Sequence, residues 1–130
     1  GGRRFVVVGH SFGGAVAVNA GIALGDAAAG VVTLATQSAG CEGAHLLGAT
    51  PLLLIHGDRD EILPSFVSEA VRELAGDGGP REPVVLPGDW HHSRFQLGRF
   101  EGLDRAAVPL RGRLLEWVAD RFDARLNDKA

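Results

Sequence analysis

A parallel α/β sheet with flanking helices is the fold class this sequence predicts, and two observations carry that reading. Short apolar runs punctuated by glycine or proline alternate along the chain with helical stretches, as they do where crossover helices link parallel strands. The first run, Phe5 to Val8, is apolar at both alternations, which suits a strand covered on both faces. The chain has 130 residues, 45% of them hydrophobic, enough for one domain with a real core and too few for two.

The elements follow in order. After Phe5 to Val8 the chain turns at Gly9, and Phe12 to Leu24 is rich in Ala, Val and Gly, a helix with small faces that pack closely on a sheet and that stops at Gly25. Gly30 to Ala35 is a second strand, and Leu52 to His56, set off by Pro51 and closed by Gly57, is a third. The short connection between these two leaves no room for a lid domain. Ser65 is placed to cap a helix in which Phe66, Ala70 and Leu74 share a stripe with Val67 and Val71 beside it, ended by Gly76 to Pro80. Val84 to Leu86 is the fourth strand. Arg94 to Ala107 reads as an irregular excursion, and Pro109 opens a last helix with Leu114, Val118, Phe122 and Leu126 at i+4 spacing.

Composition narrows the function. A formal net charge of -3 with scattered basic residues leaves no footprint for a polyanion, so nucleic acid is not an expected partner. Cys41 is the single cysteine, which rules out an internal disulfide or a cysteine-built zinc site and fits a reducing compartment. No apolar run reaches the length of a membrane span, and the start of the chain lacks a secretory pattern. The expectation is a cytoplasmic protein with no membrane partner.

Gly9-His10-Ser11-Phe12-Gly13 matches GxSxG between a buried strand and a helix. A turn that tight forces Ser11 into a strained backbone conformation and calls for small neighbours at Gly9 and Gly13, so that strand and helix can close up. It aims the Ser11 hydroxyl out of the sheet and sets the N–H of Phe12 at the positive end of a helix, where a developing oxyanion would sit. The plainer alternative is a Gly-rich loop whose serine caps the helix.

Downstream, LLLIHGDRDEILP puts Asp58 and Asp60 at the C-terminal end of the third strand, and LPGDWHHSRF puts His91 and His92 after the fourth. Ligand-binding residues collect at such strand ends in open α/β sheets. A carboxylate there can fix the tautomer of a histidine, and the histidine can take the proton of Ser11. The order Ser, Asp, His over successive strands excludes the orders of the chymotrypsin and subtilisin folds. A hydrolytic metal cluster built from Asp58, Asp60, His91 and His92 is the weaker reading, because it leaves the elbow unexplained.

Through GHSFGG, LLLIHGDRDEILP and LPGDWHH the chain resembles the C-terminal half of a small, lidless α/β-hydrolase of the dienelactone hydrolase and carboxylesterase branch. The resemblance implies Asp60 as the acid, by its spacing from Gly57, and His91 as the base, by its spacing from Gly88; Asp58 and His92 are the alternatives. It implies a serine hydrolase of a small-molecule ester or lactone that needs no cofactor and no metal; a non-catalytic interaction module and a peptidase or thioesterase of the same fold are the alternatives. His10 and Gln37 are candidates for touching substrate, with Thr36 and Ser38 beside Gln37, whereas His56 is expected to order the acid loop and His45 to be exposed. In that family strands precede the elbow strand, and a loop after one of them supplies a second oxyanion donor. The sequence therefore predicts a partial sheet with its N-terminal half absent, an apolar edge at Phe5 to Val8 open to a homodimer contact, and weakened turnover.

Overall fold

A computed structural model of the chain describes residues 3–88 and 110–122. It contains four parallel strands in the order β1-β2-β3-β4: β1 (Phe5–His10), β2 (Ala28–Leu34), β3 (Leu52–Gly57) and β4 (Arg81–Leu86). Helix α1 (Phe12–Leu24) links β1 to β2 and helix α2 (Phe66–Ala75) precedes β4; a third helix, α3, spans 110–122. This is the partial α/β-hydrolase sheet that the sequence predicts.

The sheet separates two cores because successive strand residues point to opposite faces. Val31, Leu52 and Leu54 face α1 and α2, packing on Ala15, Val18 and Val71, while Val32, Leu53 and Ile55 face α3 and its buried Trp117. The run Leu52 to Ile55 is buried throughout, and each such side chain contributes roughly 1.5–3 kcal/mol by leaving water. Gly30 is the reason α3 can lie so close: a Cβ there would stand 2.4 Å from the Trp117 ring. The Arg121 guanidinium lies 4.6 Å from the centroid of that ring, across the indole face.

β1 is an edge strand of the described sheet, hydrogen-bonded there to β2; Val7 and Val6 pack on its opposite faces, while Phe5 and Val8 are about half exposed at the apolar edge that the sequence predicts. Two expectations change. β4 begins at Arg81, earlier than the apolar run suggests, because an edge strand tolerates Pro83, whose missing N–H interrupts no ladder on its outer side. Helix α2 buries Ser68, Val71 and Ala75, whereas Phe66, Ala70 and Leu74 are exposed, and the side chain of Ser65 makes no capping hydrogen bond. In α3 the face toward the sheet is Leu110, Leu114, Trp117 and Val118; Leu126 and the 94–107 excursion lie outside the described residues. Among the described residues no helix is long and apolar enough to cross a membrane.

Candidate active site

The elbow is built from backbone. Ser11 adopts φ 57° and ψ -119°, a left-handed φ that a residue with a Cβ rarely occupies and that is held only when its surroundings over-determine it. They do so here: the Ser11 N–H donates to the Leu34 carbonyl at 2.9 Å, tying the turn to β2, and Gly14 N–H donates back to the Ser11 carbonyl at 2.9 Å, starting α1. The Ser11 side chain makes no capping hydrogen bond to α1, so the helix-cap alternative fails. Its neighbour Phe12 is the first residue of α1, where N–H groups lack partners within the helix and the dipole is positive. Ala35, at the end of β2, also has a left-handed φ of 51° and is fully buried, its N–H donating to Ile55.

Glycines explain how strand and helix approach, though not in the pairing the motif suggests. A Cβ on Gly9 would stand 1.8 Å from the carbonyl oxygen of Gly13, which no rearrangement short of moving the helix relieves. A Cβ on Gly13 itself would meet nothing within 4 Å among the described residues, so the expectation that Gly13 must be small for close packing is not supported. That need belongs to Gly14, where a Cβ would lie 2.2 Å from the Thr36 hydroxyl.

At the far side of β2, the loop leaving β3 separates the two aspartates. Asp60 is buried, and its Oδ1 accepts the N–H groups of Ile62 at 3.1 Å and Leu63 at 2.9 Å. Its Oδ2 lies 3.7 Å from Nε2 of the buried His56. Asp58 is half exposed, and its Oδ1 accepts the N–H of Gly88 at 2.9 Å while its own N–H donates to Leu86. Asp58 thus ties the exit of β3 to the exit of β4, where Gly88 has a φ of 132° that favours glycine. Asp60 is an oriented, desolvated carboxylate, and Asp58 is a loop fastener. His91 and His92 lie beyond Gly88, outside the described residues.

Ser11 and both aspartates stand on one edge of the sheet: His10 pairs with Leu34, Leu34 with Ile55, and Ile55 with Val84, so all these strand ends face the same way. His10 is half-buried at the end of β1. Beside the elbow an open apolar groove of about 680 Å³ runs along α1, lined by Phe12, Val16, Asn19, Ala20, Gln37 and Ala39. Gln37 therefore lines a groove that reaches Phe12, next to Ser11, whereas Thr36 is fully buried beneath α1. His45 is exposed, as expected. Cys41 is buried, and burial pushes its thiol pKa up, only partly offset by a hydrogen bond with Thr36, so the thiolate is disfavoured.

A parallel sheet whose first strand enters a helix through one strained serine defines this chain as an α/β-hydrolase fold. More narrowly, it belongs to the family described as Phospholipase/Carboxylesterase, whose match covers residues 2–96 and so takes in the elbow, both aspartates and both histidines. No curated protein matches the chain.

Proposed function

We propose that the protein is a serine hydrolase of carboxylic esters or lactones that works through an acyl-enzyme. The observation that carries this reading is the backbone of Ser11, a strained turn that presents a hydroxyl at a helix N-terminus without using it as a cap. Ser11 Oγ attacks the substrate carbonyl while its proton passes to His91, and Asp60 holds the imidazole in the receiving tautomer. The oxyanion meets the N–H of Phe12. Collapse of the tetrahedral adduct expels the alcohol, which takes the proton back from His91. Water activated by the same histidine then frees the acid and restores Ser11. Nucleophile, base and oxyanion donor are all protein groups, so these steps call for no cofactor.

The groove along α1 supports an apolar acyl portion, since Phe12 and Val16 offer it carbon surface and Gln37 adds one polar edge. A triad does not identify the leaving group, so thioesters and peptides are the competing substrates. A panel of p-nitrophenyl esters of rising chain length, lactones, thioesters and peptides separates them. Turnover of esters or lactones is expected, favouring apolar acyl chains, and Ser11→Ala should abolish it with little loss of stability. Undiminished hydrolysis by purified Ser11→Ala would exclude this nucleophile.

A further inference from the structure

We propose that His56 and Ser68 are positioning residues for Asp60, fixing the acid turn through the backbone of Leu63. The inference rests on the reading of Asp60 as the acid of the triad.

His56 lies near the end of β3, paired with Val85, and is fully buried. An imidazole taken out of water needs partners for both nitrogens, and it has them. Nε2 stands 2.6 Å from the carbonyl oxygen of Leu63, and Nδ1 stands 2.7 Å from Oγ of Ser68. A carbonyl oxygen can only accept, so Nε2 carries the proton and donates it. In the neutral ring Nδ1 is then an acceptor, and the Ser68 hydroxyl donates to it. Ser68 is itself buried, on the face of α2 that packs against the sheet.

Leu63 is held at both of its backbone groups. Its carbonyl accepts from His56, and its N–H donates to Asp60 Oδ1 at 2.9 Å. Pro64 follows and disfavours helical backbone at Leu63, which narrows the freedom of a residue already held by these two bonds. A continuous path therefore runs from helix α2 through Ser68, His56 and Leu63 to the carboxylate, and the second carboxylate oxygen faces the donating nitrogen of His56 at 3.7 Å. Cohesion of the core would be served as well by an apolar pair of the same shape. The polar pair adds direction, which an apolar pair cannot, and that direction ends on Asp60.

The test uses the full chain with Ser68→Ala, which removes the hydroxyl and adds no bulk, and Ser68→Thr, which retains it. Amide hydrogen exchange at Ile62 and Leu63, the donors to Asp60, should accelerate about tenfold in Ser68→Ala while Leu53 and Leu54 in β3 keep their protection. With a p-nitrophenyl ester, kcat should fall by about the same factor with KM unchanged, because neither residue touches substrate. Ser68→Thr should restore both. Exchange that is unchanged at Ile62 and Leu63, or that rises equally in β3, overturns the proposal and leaves only a stabilising role. Asp60→Asn separates the two levels. If it is inactive and the exchange effect is missing, the positioning path alone is wrong; if it turns over at the full rate, Asp60 is not the acid and the positioning role falls with it.

Discussion

The elbow at Ser11 and the turn at Asp60 close the same edge of the sheet by opposite means. At the elbow the chain is shaped by what is missing: Gly9 has no Cβ to strike the Gly13 carbonyl, and Gly14 has none to strike Thr36. Two backbone hydrogen bonds, to Leu34 and from Gly14, tie the left-handed serine to β2 and to α1. At the acid turn the chain is shaped by what is present, a buried carboxylate linked through the backbone of Leu63 to a buried imidazole and hydroxyl. Close backbone approach sets where the Ser11 hydroxyl emerges from its turn. A carboxylate has two oxygens to orient, and orientation of that kind requires directional bonds.

This contrast can be broken first at the acid turn. Asp60→Asn keeps an oxygen for Ile62 and Leu63 but sets an amide NH₂ against the Nε2–H of His56, and under the proposed mechanism it also loses the carboxylate that holds His91, so turnover should drop on the order of 10⁴-fold. Asp58→Asn still accepts from Gly88 and should lose less than about tenfold, being a neutral-for-charged exchange at a half-exposed site. Steady-state kinetics on one ester decide it, and equal or reversed losses would move the acid to Asp58. The elbow is broken by bulk instead. Gly9→Ala should destabilise by roughly 3 kcal/mol or more, and Gly14→Ala by about 1–3 kcal/mol, since Thr36 has some room to shift. Gly13→Ala should stabilise by about 0.5–1 kcal/mol, because within the helix it adds a methyl that meets none of the described residues. Urea midpoints across the three variants test the order; a large loss at Gly13 would show that the motif's second glycine is sterically required after all.

Much of this edge is legible in the sequence, for reasons that differ from residue to residue. Ser11 can be read because a strand, GxSxG and a helix in that order leave the chain a single tight turn to make. Asp60 is proposed from sequence only by its spacing from Gly57, and what sets it apart from Asp58, burial with two backbone donors, appears only in three dimensions. The buried face of α2 is misread because apolar periodicity is blind to Ser68, a polar residue placed inward to meet His56. Trp117 escapes an i+4 stripe drawn through Leu114 and Val118, and its partner is a glycine eighty-odd positions earlier in β2, a relation no local pattern encodes. Likewise the need for a glycine at 14 comes from Thr36 on the neighbouring strand end, so the motif alone assigns it to the wrong position.

The central claim is that Ser11 is an activated nucleophile, and reaction of the purified chain with a fluorophosphonate probe, followed by peptide mass spectrometry, tests it most directly. The account predicts one phosphonyl adduct per chain, located on Ser11, formed faster in wild type than in Asp60→Asn and absent in Ser11→Ala. No adduct on the folded protein, or an adduct on another residue that persists in Ser11→Ala, would contradict it.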